Sequence, residues 1–288
     1  MAEKPIIAII YDFDKTLCDQ DMQNYSFIPN LNMTPQEFWG EIGEFSKSEN
    51  MEAILSYLYY MVKKSDEKGV PMTREYLKSL GKDVNLFPGV NEWFTRINHY
   101  AKEHGAIVEH YVVSSGIKDI ICNTEIANEF KAVYACDFYY DENDKAVWPK
   151  MAINFTSKTQ YLYKINKGIL DETDSTEVNK KYKTKRIPFR NMIYIGDGLT
   201  DIPCMTMLKK EGGKSIGIYT ASNKERVQQF LVEDRINYVC PANYRENSYL
   251  DRTVKLIIKS ACLVSELQAL ENKQTLKAEE KLSQKEGE

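Results

Sequence analysis

The sequence lacks three features that would assign a protein to a specialised class. No apolar run approaches the roughly 18 residues that a membrane-spanning helix requires. Its six cysteines are widely spaced and form no C-x-x-C pair, so they indicate neither a zinc site nor a disulfide framework. The 38 basic and 42 acidic residues leave a net charge of -4, so no overall positive field attracts nucleic acid or an anionic membrane.

The N-terminus also lacks the architecture of a secretory signal peptide. Met1 to Pro5 is followed by a short apolar run that leads directly into Asp12, without a cleavage site. With the widely spaced cysteines, this predicts a cytoplasmic protein, and the balanced charge predicts a small substrate. Hydrophobic residues are 43% of the 288 residues, which is enough for a substantial core. The sequence does not indicate the oligomeric state.

What the sequence does contain is a strongly apolar stretch that ends in two carboxylates. Residues 6–11 are rich in β-branched side chains and predict a strand buried on both faces. Asp12 and Asp14 follow it directly. Ligands of open α/β sheets bind beyond the carboxyl ends of the strands, so these two aspartates are the first candidates for a site.

Strand-like and helix-like segments alternate along most of the chain. This predicts the α/β class, with a Rossmann-like parallel sheet and helices on both faces. The further strands are expected near 106–113, 132–136, 191–195, 215–219 and 237–240, a hairpin at 138–148, and helices at 117–130, 157–168 and 250–270.

One block, residues 19–84, contains helical patterns only. Thr34 begins a capping box, and Thr73 has the character of a second helix cap. We expect this block to form a small helical cap domain, inserted into a core domain of residues 1–18 and 85–270. Residues 271–288 are expected to form a charged tail, either a frayed helix or disordered.

Four predicted element ends carry polar residues in an ordered series. They read Asp12-Phe13-Asp14-Lys15-Thr16, Val112-Val113-Ser114, Lys158 and Gly196-Asp197-Gly198-Leu199-Thr200-Asp201. In this order they resemble the motifs of the haloacid dehalogenase (HAD) superfamily of phosphatases. Each motif alone is common, whereas their joint occurrence over residues 5–245 is specific.

The resemblance implies a hydrolase that forms an aspartyl-phosphate. Asp12 would be the nucleophile, and Asp14 would protonate the leaving alcohol and then accept a proton from water. Dehalogenases of the superfamily lack the second aspartate, so Asp14 favours phosphoryl transfer. Asp12, Asp197 and the backbone carbonyl of Asp14 would bind Mg²⁺, whose charge offsets the repulsion between carboxylate and phosphate.

The resemblance also implies ligands for the phosphate group. Ser114 would donate to a phosphate oxygen, assisted by the backbone N–H groups of Ser115 and Gly116 at a helix start. Lys158 would supply positive charge, although Lys150 and Lys164 lie near it in the sequence.

Two further residues would support the reacting groups. Asp201 would hold either Lys158 or a metal-bound water, and Thr16 would orient Asp12.

A helical block directly after the first motif resembles the phosphoserine phosphatase branch. An acidic residue there contacts the substrate amine, and Asp21 matches it, with Asp19 as its rival. No arginine matches the one that would bind a carboxylate, which leaves phosphorylated amino alcohols open. The block's aromatic residues would either line the entry for a leaving group or form the core of the cap; they are Phe38, Trp39, Tyr57, Tyr59 and Tyr60.

The sequence is also compatible with two other functions. A phosphotransferase or mutase would use the same aspartyl-phosphate and differ only in its acceptor. A non-catalytic phosphate-binding regulatory protein would keep the fold, although the intact Asp12, Asp14, Lys158 and Asp197 argue against it.

Overall fold

The computed structural model describes residues 4–171, 176–181 and 185–286. Its strands are β1 (Ile6–Tyr11), β2 (Ile107–Ile117), β3 (Phe130–Tyr140), β4 (Ala146–Met151), β5 (Met192–Gly196), β6 (Lys214–Tyr219) and β7 (Tyr238–Pro241). They form one sheet in the order β4-β3-β2-β1-β5-β6-β7. Among these strands of the described residues, β3 and β4 pair antiparallel and the other neighbours pair parallel. The predicted α/β class is confirmed.

The α-helices are α1 (Phe27–Asn30), α2 (Pro35–Ser48), α3 (Ala53–Lys68), α4 (Arg74–Ser79), α5 (Val90–Glu103), α6 (Lys118–Ile121), α7 (Lys158–Lys167), α8 (Thr176–Asn179), α9 (Ile202–Lys210), α10 (Lys224–Val232) and α11 (Tyr249–Glu286). Short 3-10 turns occupy Met22–Asn24, Leu80–Asp83, Ala127–Glu129, Phe189–Asn191 and Leu199–Asp201. Within the three described ranges, no helix combines the length and apolar character needed to cross a membrane.

Strand β1 lies at the centre of the sheet and of the core. It pairs with β2 on one side and β5 on the other, and its residues from Ile7 to Tyr11 are buried. Two groups of helices pack around the sheet, α5 with α11 and α7 with α9. An apolar strand covered in this way is what the β-branched run of β1 predicts.

The segment of residues 19–84, here called the helical insertion, contains helices and turns and no strand in the part of the chain described between β1 and β2. The predicted capping box is confirmed, because Thr34 Oγ1 accepts from Glu37 N and Glu37 Oε2 accepts from Thr34 N at 2.8 Å. Thr73 caps α4 by accepting from Tyr76 N at 3.1 Å. Both caps satisfy backbone donors that a helix start leaves open.

The predicted helix over 117–130 is wrong. Strand β2 continues through Ile117, which pairs with Cys136 of β3 beyond an irregularity in the register. Helix α6 that follows spans only four residues. Thr124 Oγ1 donates to Ile121 O and Asn123 Nδ2 to Asp119 O, both at 2.8 Å. These side-chain bonds take up the carbonyls that a longer helix would use.

The two remaining expectations concern the hairpin and the C-terminus. Strand β3 runs on to Tyr140 and turns through residues 141–145 into β4, so the predicted hairpin is confirmed. The closing helix begins at Tyr249 and extends to Glu286. This agrees with the helical alternative for the tail, whose last residues, 287–288, lie outside the described part.

Candidate active site

Strand register brings the predicted site residues to one edge of the sheet. Tyr11, the last residue of β1, pairs with Val112 of β2 and with Ile195 of β5. The residues just beyond these positions are therefore neighbours at the carboxyl ends of three adjacent parallel strands. They include Asp12, Ser114 and Asp197.

A cavity of about 320 Å³ opens at this edge. Its lining includes Asp12, Asp14, Ser114 and Asp197 on the side of the sheet. The helical insertion supplies the other wall, with Asp21, Gln23, Trp39, Ile54 and Tyr57. Lys15, Ser115, Gly198, Leu199, Thr200 and Arg226 complete the lining. The volume suits a small molecule.

Lys158 lies beneath the cavity at the first turn of α7 and is fully buried. Its Nζ lies 3.1 Å from Asp12 Oδ1 and 2.8 Å from Asp201 Oδ1. Burial lowers its pKa, but the charges of Asp12 and Asp201 outweigh burial and raise it above its ordinary value. The two rival lysines lie elsewhere: Lys150 pairs with Asp137, and Lys164 donates to the carbonyl of residue 171.

Asp201 is fully buried, and three groups donate hydrogen bonds to its carboxylate. Oδ1 accepts from Lys158 Nζ and from Tyr194 OH, each at 2.8 Å, and Oδ2 accepts from Gly198 N at 3.1 Å. Of the two roles considered for Asp201, contact with Lys158 is the one observed. Gly196 makes room for this carboxylate, because a Cβ there would lie 2.5 Å from Asp201 Oδ2.

Backbone donors orient the two aspartates of the first motif. Asp12 Oδ1 accepts from Phe13 N at 2.8 Å, and Asp14 Oδ1 accepts from Met22 N at 2.8 Å. The second bond ties Asp14 to the start of the helical insertion. Both carboxyl groups therefore have defined orientations at the cavity wall.

Three buried carboxyl groups lie close to one another, and the positive charge around them does not balance their negative charge. Ligand atoms of Asp12, Asp197 and Asp201 all lie within 4.8 Å of each other. Burial, followed by the charge of Asp201, raises the pKa of Asp12 to about 6 and that of Asp197 well above its ordinary range. Burial and then the charge of Asp21 raise the pKa of Asp14 in the same direction.

This donor set fits a hard divalent cation. Oxygen ligands suit Mg²⁺, and a cation between Asp12 and Asp197 would relieve the repulsion between them. Asp201 is the least suited of the three, because Lys158, Tyr194 and Gly198 already donate to its oxygens.

The surroundings of Ser114 differ from the expectation. Since β2 runs on to Ile117, Ser115 and Gly116 lie in a strand and not at a helix start. The N–H of Gly116 donates to Ser114 Oγ at 3.0 Å, and the hydroxyl of Ser115 donates to Ile153 O at 2.7 Å. Ser114 lines the cavity, but the prediction that Ser115 and Gly116 lie at a helix start is wrong.

Thr16 forms a long-range hydrogen bond through its backbone. Its carbonyl accepts from Tyr244 OH at 2.8 Å, across 228 residues of sequence. Its buried Oγ1 has no hydrogen-bond partner among the described residues. Within the described residues, Thr16 therefore makes no hydrogen bond to Asp12.

The two candidate acidic residues of the insertion, Asp21 and Asp19, lie in different surroundings. Asp21 lines the cavity, and its Oδ2 lies 2.6 Å from Lys15 Nζ. Asp19 accepts from Tyr25 OH and from Asn85 Nδ2 outside the cavity lining. Asp21 is therefore the acidic residue that a bound molecule would meet.

Sequence reasoning missed three cavity residues. Arg226, from α10, lies 3.6 Å from Asp197 Oδ2, and Lys15 pairs with Asp21. Gln23 is 2% exposed, and its Oε1 has no partner among the residues described. No motif marks them, since a lysine, a glutamine and an arginine of this kind are ordinary surface residues in a sequence.

The aromatic residues of the insertion divide between the two roles considered. Trp39 and Tyr57 line the cavity, while Phe38 and Tyr60 pack into the core with each other. Tyr59 is 43% exposed and stacks on Phe45.

Comparisons with known proteins agree on the fold. A HAD-family hydrolase from Salmonella enterica serovar Typhi superposes with a TM-score of 0.57 at 16% identity, covering 89% of this chain and 73% of that one. A phosphoserine phosphatase, solved as an analogue of its phospho-aspartyl intermediate, superposes with a TM-score of 0.53 at 15% identity, covering 88% and 99%. The chain thus has the fold of HAD-family hydrolases.

The sequence comparisons identify a relative without assigning an activity. No family model matches the chain. A protein from Borreliella burgdorferi, described as uncharacterized, is 27% identical over 285 residues and covers 90% of this chain and 97% of its own length.

Proposed function

We propose that the protein is a phosphatase that hydrolyses small phosphate monoesters by way of an aspartyl-phosphate on Asp12. The observation that carries this proposal is the position of Asp12: its carboxylate faces the cavity, 3.1 Å from the buried ammonium of Lys158. The phospho-aspartyl analogue in the phosphoserine phosphatase of the same fold supports it.

The first displacement would place a carboxylate oxygen of Asp12 on phosphorus. The bond between phosphorus and the ester oxygen breaks, and Asp14 gives its proton to the leaving alcohol. Lys158 offsets the negative charge on the phosphoryl oxygens, and Ser114 Oγ donates to one of them. Each of these groups lines or borders the cavity.

The second displacement would return the enzyme to its starting state. A water attacks the same phosphorus, and Asp14 takes one proton from it. The bond between phosphorus and Asp12 breaks, which releases inorganic phosphate and restores the carboxylate. Asp201 keeps Lys158 in place throughout, through the bond of 2.8 Å.

Asp12, Asp197 and the backbone carbonyl of Asp14 are the residues that would hold Mg²⁺. When bound, the ion supplies positive charge that lets an anionic carboxylate approach an anionic phosphate. The raised pKa of the Asp197 carboxyl, caused first by burial and then by Asp201, supports a cation at this position.

The helical insertion is assigned the role of a cap within this proposal. Its residues Trp39, Ile54 and Tyr57 line the cavity opposite the sheet edge. Such a wall limits the site to small esters and excludes bulk water during the reaction.

The test is phosphate release from a panel of small phosphate esters, with Mg²⁺ and with EDTA. Asp12→Asn should abolish turnover, whereas the matched variant Asp19→Asn, outside the cavity, should retain it. Acid-quenched wild type should carry one phosphoryl group by mass spectrometry, and Asp12→Asn should carry none. Turnover by Asp12→Asn, or Mg²⁺-independent turnover, would contradict the proposal.

A further inference from the structure

Helix α11 carries apolar side chains on two of its sides. On the inner side, Val254, Ile258 and Cys262 are buried, and the helix packs against α5 and β7. The outer side carries four leucines that are 53 to 67% exposed, namely Leu256, Leu263, Leu267 and Leu270. The core of this chain accounts for the inner side, whereas the outer leucines face solvent.

The four outer leucines, here called the leucine stripe, have the spacing of a coiled-coil seam. Leu256, Leu263 and Leu270 follow one another at intervals of seven residues. Leu267 lies four residues after Leu263 and three before Leu270. Positions with this spacing form a narrow line along one side of a helix, and such a line packs against a second helix.

The C-terminal part of α11 lacks packing within its own chain. Every residue from 271 to 279 is exposed, although this segment is helical. A helical segment of this length is marginally stable alone, because tertiary packing supplies most of the stability of helices in proteins. A second helix along the leucine stripe would supply that packing.

Charged residues beside the stripe distinguish the two directions in which a second copy could pack. An antiparallel pair of helices would place Leu267 of each copy against Leu270 of the other. In that register Glu266 of each copy lies beside Lys273 of the other, and these opposite charges attract. A parallel pair would instead place Glu266 beside Glu271 of the other copy, and these like charges repel.

We propose that two copies of this chain form a dimer in which the leucine stripes of their α11 helices pack antiparallel. The arrangement is two-fold symmetric, so each contact occurs twice. The exposed segment 271–279 of each copy then covers Leu263 of the other. The interface lies outside the active-site cavity, whose lining contains no residue of α11 among those described.

The test is the molar mass of the full-length protein in solution, measured by sedimentation equilibrium. Wild type should have twice the chain mass of 33.4 kDa. Leu267→Glu combined with Leu270→Glu should raise the dissociation constant by about 100-fold or more, because both charges enter the centre of an apolar interface. Circular dichroism checks that the variant folds.

Leu276→Glu is the matched control on the same helix. Leu276 is 59% exposed, like the residues of the stripe. It lies nine residues, or about two and a half turns, after Leu267 and therefore on the opposite side of the helix. This variant should remain a dimer with the wild-type dissociation constant.

Charge reversals test the antiparallel direction. Lys273→Glu should weaken the dimer by about tenfold, because the new carboxylate would lie beside Glu266 of the second copy. Adding Glu266→Lys to the same chain should restore the wild-type dissociation constant. The two positions are seven residues apart, too far for a direct pair within one helix, so this restoration reports a contact between copies.

Four results would overturn the proposal. The first is a monomer at every micromolar concentration, including one that binds phosphatidylserine vesicles through the leucine stripe, since the stripe would then contact a membrane surface. The second is a dimer that the change at both Leu267 and Leu270 leaves intact, and the third is a dimer that Leu276→Glu disrupts. The fourth is a dimer that Lys273→Glu does not weaken.

Discussion

The ammonium of Lys158 lies 3.1 Å from the carboxylate of Asp12, and both side chains are almost completely buried. A buried ion pair is costly to form, because both charges lose their hydration. Its presence at the edge of a cavity is better explained by chemistry at Asp12 than by stability. The residues around the pair make this explanation testable.

We expect Lys158→Met to reduce phosphatase activity by about 100-fold or more, since it removes the positive charge next to the reacting group. The variant should also lose about 3 kcal/mol of unfolding free energy, because Asp12 and Asp201 would be left buried without a cation. Initial rates and urea unfolding measure the two effects. Lys150→Met is the control, since Lys150 is half-exposed in its pair with Asp137 and lies outside the cavity lining, so its loss should cost less than that of Lys158. Equal effects of the two variants would contradict the role of Lys158.

We expect Gly196→Ala to lower activity by about tenfold or more. A Cβ at this position would lie 2.5 Å from Asp201 Oδ2, so the carboxylate would have to move away from Lys158. Gly198→Ala is the matched variant, because its backbone is extended and the nearest atom to its Cβ would be Thr200 Oγ1 at 3.7 Å. Steady-state kinetics of both variants should show the larger loss at residue 196. A larger loss at residue 198 would refute the close-contact argument.

We expect His110 to remain neutral to well below pH 5. It lies in a buried chain in which Trp93 Nε1 donates to Tyr11 OH at 2.8 Å, and Tyr11 OH lies 3.0 Å from His110 Nδ1. Burial lowers the pKa of His110 to about 3. Imidazole nitrogen shifts in NMR spectra should therefore show one neutral tautomer at pH 6, and a charged ring there would contradict the prediction.

Because the pKa of His110 is lower in the folded protein than in the unfolded chain, the free energy of unfolding depends on pH. Below about pH 6.5 an unfolded histidine binds a proton that folded His110 does not, so the unfolding free energy should fall as the pH drops towards 3. His110→Gln should reduce this slope by up to about 1.4 kcal/mol per pH unit. His99→Gln, at an exposed position, controls for the loss of a histidine as such.

We expect Thr16→Val to leave the unfolding free energy within about 0.5 kcal/mol of wild type. The buried Oγ1 of Thr16 makes no hydrogen bond within the described residues, so an isosteric methyl group removes no partner. Thr34→Val should by contrast cost about 1 kcal/mol, because Thr34 Oγ1 caps α2. Urea unfolding compares the two. A loss at residue 16 equal to that at residue 34 would reveal a bond that the structure does not show.

The residues at the sheet edge could be predicted because each strand and the polar residue that follows it are neighbours in the sequence. A β-branched run followed by Asp12 indicates a buried strand with a charged end, and parallel pairing brings Ser114 and Asp197 beside it. Lys158 was preferred over Lys150 because it lies at the start of a predicted helix. The structure places Lys158 against Asp12 and Lys150 against Asp137.

The far wall of the cavity could not be predicted in the same way. Asp19 and Asp21 are the same residue type two positions apart, and only the fold of the insertion decides which one faces the cavity. Gln23 and Arg226 belong to no motif and reach the site through tertiary packing. The helix predicted over 117–130 does not form, because pairing of Ile117 with Cys136 extends strand β2.

The bond between Tyr244 OH and the carbonyl of Thr16 has a consequence for biosynthesis. The loop that carries Asp12 and Asp14 is translated before Tyr244, which lies 228 residues after Thr16. Strand β1 likewise has to await β5 before both of its edges are paired. Contacts between distant parts of a chain slow folding. The loop can therefore make this contact only after residue 244 has been synthesised, and a chain cut before that residue would lack it.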